Sequence, residues 1–173
     1  AMGGSMLDAV GIVGLIVIVG FFFVMLRYRR PPGIGRPERD LAYEWVAERA
    51  DKADSELRAK FGDDAPETGD VALVRVGFFN GGRTGIDPDQ MIRPLALLFP
   101  EGAEILLARF GESVKNDRPT PPPPVVTGAR VEFPPFAIAS GGVVVFDIAV
   151  RGARRPSGVE GAVTGLERIR RLG

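Results

Sequence analysis

The sequence contains no cysteine and no histidine among its 173 residues. Without cysteine the chain has no disulfide framework, no thiol nucleophile and no thiolate metal site. Without histidine it lacks the commonest general base at neutral pH and the commonest metal ligand. These two absences remove most of the usual equipment of an enzyme. We therefore expect a non-catalytic protein that uses neither a cofactor nor a metal.

The chain also lacks an excess of charge of either sign, since 22 basic side chains balance 22 acidic ones. Proteins that bind nucleic acid usually carry a clear basic excess or a basic face. The overall charge gives no such indication, so nucleic acid is not an expected partner.

Charge is absent altogether from residues 9–26, which read AVGIVGLIVIVGFFFVML and contain no proline. A helix of about 18 residues covers about 27 Å, close to the hydrocarbon thickness of a bilayer, about 30 Å. Positive charge follows this run instead of preceding it, which is typical of a retained anchor and not of a cleaved signal peptide. After a tag scar and start at residues 1–6, the sequence predicts a transmembrane helix with a basic flank over residues 7–30. The alternative is a buried hairpin helix.

Four arginines follow the apolar run closely: Arg27, Arg29, Arg30 and Arg36. Because cytoplasmic flanks of membrane helices are enriched in Lys and Arg, these residues predict an N-terminus outside and a C-terminal domain in the cytoplasm. They are also the predicted membrane-surface basic residues. The abundance of Arg, Ala and Gly favours a bacterial source, and hence the inner (cell) membrane as the location.

A Pro/Gly linker at residues 31–36 precedes a segment that has helical features over residues 37–62. Pro37 suits the first turn of a helix, and acid-before-base pairs four residues apart follow it. The apolar positions include Trp45, Val46, Ala50, Leu57 and Phe61. Their spacing predicts a charged amphipathic helix that packs on its own domain or self-associates as a short coiled coil.

From residue 70 to residue 173 the pattern changes to short apolar, β-branched runs separated by Gly and Pro. We predict strands over residues 71–79, 95–99, 103–110, 125–133 and 143–150, with shorter ones at 136–139 and 161–166. Short strands with regular turn signals indicate an antiparallel β-sandwich.

The densest group of polar and glycine residues lies directly after the first of these strands. This candidate ligand-binding group comprises Asn80, Gly81, Gly82, Arg83, Asp87 and Asp89. Glycine backbone N–H groups can receive an anion, and Arg83 adds charge. The run has no phosphate-loop or dinucleotide fingerprint, and a Gly-rich turn needs no ligand. The two aspartates lack the other ligands of a calcium loop.

Two further features have both a structural and a functional interpretation. Residues 118–124, RPTPPPP, favour polyproline II and are either a stiff loop or a docking segment for an aromatic groove. Asp147 lies within an apolar strand, where we expect it to meet an arginine or solvent and not to act as a catalytic acid.

Several short motifs follow one another in a fixed order: residues 74–81 ending in Asn-Gly, Ile86-Asp87, Arg93-Pro94-Leu95, residues 103–106 and residues 161–165. This order resembles a bacterial family of small membrane-anchored β-sandwich proteins of uncharacterised activity. The resemblance covers about residues 71–170. It implies an Ig-like sandwich and no activity or binding residues.

Together these features predict a mainly β protein, an antiparallel Ig-like β-sandwich preceded by a transmembrane helix and a juxtamembrane amphipathic helix. We expect it to bind a protein partner or to self-associate at the cytoplasmic face. The alternative is a membrane sensor or effector whose sandwich binds a small-molecule, nucleotide-like anion and controls the assembly of transmembrane helices.

Overall fold

A computed structural model describes residue 35 and residues 37–49, 58, 61–64 and 71–172. The chain divides into two units, residues 1–35 and residues 36–173. The apolar run and the four arginines after it, Arg27, Arg29, Arg30 and Arg36, lie outside the described residues. In the part of the chain that is described, no helix has the length and apolar character needed to cross a membrane.

The described residues of the second unit form nine strands. They are β1 (Leu41–Arg49), β2 (Val71–Asn80), β3 (Met91–Leu98), β4 (Glu104–Val114), β5 (Val125–Thr127), β6 (Arg130–Phe133), β7 (Val143–Arg151), β8 (Gly158–Val163) and β9 (Arg170–Arg171). Short 3-10 turns lie at Gly62–Asp64 and Pro88–Gln90. The mainly β class predicted from the sequence is therefore confirmed.

The strands form two sheets, of order β4-β7-β2-β1-β9 and β5-β6-β3-β8. Strand pairs are antiparallel except β1 and β9, which run parallel over two residue pairs. A single buried cluster contains side chains from both sheets, including Val74, Leu97, Phe133 and Phe146. The two sheets thus enclose one core, which is the arrangement of a β-sandwich.

Aromatic rings fill the middle of this core. Phe133 lies between the sheets with its ring centroid 4.4 Å from Phe146 and 5.3 Å from Phe78. Phe136 adds a T-shaped contact with Phe146 at 5.4 Å. Such offset and edge-to-face pairs contribute beyond the apolar area that they bury, by about 1 kcal/mol each.

The predicted helix over residues 37–62 is wrong for residues 41–49, which form β1. Leu41, Tyr43, Trp45 and Ala47 alternate along the chain and pack against the core between the sheets. A period of two is typical of a strand, in which alternate side chains point to the same face. The strand pairs with β2, from Leu41 opposite Asn80 to Arg49 opposite Ala72. The sandwich therefore begins with β1 and not near residue 70.

Residues 37–40 are described and are not helical, and beyond β1 the predicted helical range is described only at Arg58, Phe61 and Gly62, where a 3-10 turn begins. Phe61 is buried in a second, smaller cluster with Val71, Leu73 and Ala149. These neighbours belong to β2 and β7, so Phe61 lies against the face of the five-stranded sheet that points away from the main core.

The predicted strands at 71–79 and 143–150 are confirmed, and others are displaced or divided. The predicted strand 125–133 is a hairpin of β5 and β6, because Gly128 adopts a φ of +58° and reverses the chain. Within residues 136–139 only Ile138 pairs, in an isolated bridge with Ile86. A register shift between Ile105 and Leu107 interrupts the regular pairing of β4 with β7.

Candidate functional site

The side chain of Asn80, at the end of β2, organises the loop that follows. It is completely buried. Its Nδ2 donates to the carbonyl oxygens of Thr84 at 2.9 Å and Ile138 at 3.2 Å, and its Oδ1 accepts a hydrogen bond from the Gly82 N–H at 3.0 Å. A buried amide with both ends bonded fixes the loop conformation, since leaving either end unpaired is costly.

The backbone N–H groups of this loop are directed at residues 37–40, which we call the N-terminal arm. The N–H of Gly81 donates to Asp40 O at 3.0 Å, that of Arg83 to Pro37 O at 3.1 Å, and that of Thr84 to Glu38 O at 3.1 Å. The Thr84 hydroxyl also donates to Glu38 O at 2.9 Å. The donors that an anion would need are therefore engaged within the chain.

Gly82 lies where the loop and the arm approach most closely. A Cβ atom at this position would lie 2.7 Å from Glu38 O, 2.8 Å from the Asp40 nitrogen and 2.9 Å from Arg39 Cα. All three neighbours are backbone atoms and cannot move aside as a side chain can. A glycine is therefore required here for close approach of two segments of main chain.

The C-terminal part of the chain holds the arm on another side. Arg170 in β9 forms two hydrogen bonds with the Asp40 carboxylate, at 2.7 and 3.2 Å. The Arg39 guanidinium donates to Thr164 O at 2.7 Å. The Leu172 N–H donates to Tyr43 O at 2.9 Å, just beyond the arm. We call the arm, residues 80–84 and these C-terminal contacts the arm junction.

The structure brings only part of the predicted ligand-binding group into the arm junction. Asn80, Gly81, Gly82 and the backbone of Arg83 lie within it, whereas the side chain of Arg83 is exposed. Asp87 forms an ion pair with Arg118 at 3.4 Å, and Asp89 is exposed in the 3-10 turn. Among the described residues no three acidic side chains are grouped to hold a metal ion. Ligand binding at this loop stays a prediction, one that would depend on side chains and not on a cradle of backbone N–H groups.

The arm, Thr84 and Arg170 belong to this group but are not among the site residues predicted from the sequence. The sequence predicts a helix that begins at residue 37, in which the carbonyl groups of residues 37–40 would point along the helix axis. The signal that was available is the alternation of Leu41, Tyr43, Trp45 and Ala47, which favours an extended chain directly after the arm.

A second polar group lies on the face of the five-stranded sheet that points away from the main core. Arg75 of β2 donates to both carboxylate oxygens of Asp147 of β7, at 2.8 and 3.2 Å, and to Glu112 of β4 at 2.8 Å. The Asp147 side chain is only 4% exposed. The expectation that Asp147 meets an arginine is confirmed.

The environment of Arg75 keeps its guanidinium charged. Burial disfavours the charged form, but the hydrogen bond and charge of Asp147, together with those of Glu112, outweigh it and raise the pKa of Arg75 above its ordinary value. Each charged group in this trio faces a partner, which is the arrangement of a structural ion pair.

No protein-family model matches the sequence, and no curated protein matches it significantly. The structure of the chain itself defines its class. The chain is a mainly β sandwich whose N-terminal arm, residues 37–40, is bound by the loop after β2 and by residues of the C-terminal part of the chain. The resemblance to small membrane-anchored sandwich proteins stays a prediction from the sequence.

Proposed function

We propose that the chain is a single-pass membrane protein that displays a non-catalytic β-sandwich, Ig-like in type, at the cytoplasmic face of a bacterial inner membrane. The sandwich binds a protein partner or assembles with copies of itself. Support for the anchor comes from the uncharged run at residues 9–26 and the arginines that follow it.

The observation that carries the proposal is the arm junction. Residues 37–40 directly follow the basic flank and linker of the predicted anchor, and three backbone hydrogen bonds fix them to residues 81–84. An ion pair from Arg170 to Asp40 fixes the arm from the other side. A domain whose first described residues are fixed in this way is suited to display on a tether, because β1 begins directly after the arm at Leu41.

The anion-sensing alternative gains no support from these contacts. The N–H groups of Gly81, Gly82, Arg83 and Thr84 all have acceptors within the chain. An anion could bind these N–H groups only by displacing the arm, and the hydrogen bonds between the arm and the loop would then be lost.

Extraction of membranes from cells that express the full chain tests the anchor. We expect the chain to remain in the pellet at alkaline pH, and a variant that lacks residues 7–30 to be found in the supernatant. Release of the full chain by alkali would contradict the anchor.

Cross-linking of the full chain in intact membranes, followed by purification, tests the binding role. We expect covalent products that contain a partner protein or a second copy. A chain that is recovered only as a monomer and that turns over a substrate would refute the proposed function.

A further inference from the structure

Residues 119–126 form a mainly apolar, largely exposed ridge outside the buried core clusters. Of the four large hydrophobic side chains that are exposed among the described residues, Val125 and Val126 lie here, 51% and 41% exposed. They directly follow the four consecutive prolines 121–124, and Pro119 lies upstream. We call residues 119–126 the proline ridge.

Burial along the proline ridge repeats every three residues. Pro121 is buried and Pro124 is half-buried, whereas Pro119, Thr120, Pro122 and Pro123 are exposed. Three residues per turn is the period of polyproline II, the conformation that consecutive prolines favour because φ is fixed and the residue before each proline avoids the helical region. One row of side chains therefore faces the sandwich.

Two rows of exposed side chains face outwards, Pro119 with Pro122 and Thr120 with Pro123, and Val125 and Val126 of β5 follow them. At about 3.1 Å per residue the segment 119–124 is about 16 Å long. Exposed proline rings on a polyproline II segment are what proline-recognition domains receive in grooves lined by aromatic side chains.

Both ends of the ridge are held in place. Upstream, Asn116 accepts a hydrogen bond from the Ala139 N–H at 2.8 Å, and Arg118 forms an ion pair with Asp87 at 3.4 Å. Downstream, Val125–Thr127 pair with Arg130–Glu132 in the β5–β6 hairpin. A ligand segment that is already ordered loses little conformational entropy on binding.

The chemistry of the ridge selects among possible occupants. Its five prolines have no N–H group, so an added β-strand from a second copy would find no regular set of donors. An aromatic groove requires only proline rings and carbonyl oxygens that can accept hydrogen bonds from Trp or Tyr side chains.

We propose that the proline ridge is the docking surface of the sandwich, and that its partner is a protein with an aromatic-lined, polyproline-binding groove. The inference rests on the proposed function as a binding module and names the chemistry of the partner. It identifies a surface separate from the arm junction.

Site-specific photo-cross-linking of the full chain in its native cells tests the proposal. The probe is Thr120→p-benzoylphenylalanine, on an exposed row of the ridge, and the control probe is Ser157→p-benzoylphenylalanine, exposed in the loop before β8. We expect a partner cross-link from position 120 only, at a peptide of the partner that contains at least two aromatic residues. A synthetic peptide of residues 117–127 should compete for it.

Two variants separate the ridge from general effects of proline loss. Pro122→Ala with Pro123→Ala should lower the cross-link yield at least about tenfold. Pro135→Ala, at an exposed proline outside the ridge, should leave the yield unchanged. Unchanged thermal unfolding of each variant shows that the fold is retained.

Equal yields from the double variant and the parent chain, or a cross-link from position 120 only to a second copy, would overturn the docking proposal. A partner cross-link from position 157 alone would overturn it while the binding role of the sandwich stands. If neither position gives a cross-link to a partner or to a second copy, both the docking role of the proline ridge and the proposed function are contradicted.

Discussion

Gly82 shows how a single missing side chain allows two segments of main chain to meet. The Glu38 carbonyl and the Asp40 nitrogen occupy the space that a Cβ would need, 2.7 and 2.8 Å away. The same approach lets three loop N–H groups reach the arm. A methyl group at residue 82 would therefore push the arm away from the loop and weaken the hydrogen bonds of the arm junction.

We expect Gly82→Ala to destabilise the chain by about 2 kcal/mol, because the arm must move and its hydrogen bonds with the loop weaken. Urea unfolding of the full chain in detergent, followed by the fluorescence of the only tryptophan, Trp45, measures this. Gly158→Ala is the matched control, since a Cβ there meets nothing within 4 Å. Similar losses for the two variants would argue against close packing at Gly82.

Asp147 and Arg75 give a second prediction at the scale of single residues. We expect Asp147→Ala to destabilise the chain by about 3 kcal/mol, because it leaves the largely buried Arg75 charge without its main partner. The double variant Arg75→Met with Asp147→Leu should recover most of the loss. A double variant less stable than Asp147→Ala would contradict this account.

The pH dependence of this pair follows from the direction of the Arg75 shift. A raised pKa in the folded state means that Arg75 contributes stability at all pH values below its ordinary pKa, and that the contribution is lost only as pH rises through the raised value. The stability difference between the parent chain and Asp147→Ala should therefore be constant from about pH 7 to about pH 9.

At the scale of elements, β1 shows where local pattern was misleading. Charged residues four apart and a proline at the start suggested a helix, and each such pair contributes only some tenths of a kcal/mol. Burial of Leu41, Tyr43, Trp45 and Ala47 against the core contributes more. Residues 41–49 form a strand because they pair with β2, which lies more than 20 residues further along the chain. A local sequence pattern gives no information about a pairing partner at that distance.

Substitutions in β1 distinguish strand from helix. Val46 is exposed in the strand, whereas the predicted helix would bury it, so Val46→Thr should change stability by less than about 0.5 kcal/mol. Trp45→Ala should cost about 2 kcal/mol, because the ring packs on the core and lies 5.0 Å from the Arg171 guanidinium. Far-UV circular dichroism during urea unfolding measures both. A loss of about 1 kcal/mol or more for Val46→Thr would favour the helix, in which Val46 would be buried.

Other elements were predictable to different degrees. Runs such as 71–79 and 143–150 are buried on both faces of the sheet, so their continuous apolar character indicated strands directly. The ends of β3 and β4 depend on register shifts within the sheets. Asn80 and its glycines were recognised as a dense group, but their acceptors on residues 37–40 depend on tertiary contacts that spacing does not contain.

At the scale of the whole molecule, the sandwich offers two separate surfaces. The arm junction binds the chain to itself, through Asp40, Gly82 and Arg170. The proline ridge at residues 119–126 faces outwards and is proposed to bind a partner. Under the proposed function, the arm junction fixes the first residues of the domain and the proline ridge stays available for recognition.

The central claim, that a membrane anchor displays this sandwich in the cytoplasm, is tested most directly by cysteine labelling. The chain has no native cysteine, so single substitutions report without background. Ser157→Cys, on an exposed residue of the sandwich, should react with a membrane-impermeant maleimide in spheroplasts only after lysis, and Ser5→Cys should react before it. Labelling of Ser157→Cys in intact spheroplasts, or recovery of the chain outside the membrane fraction, would contradict the account.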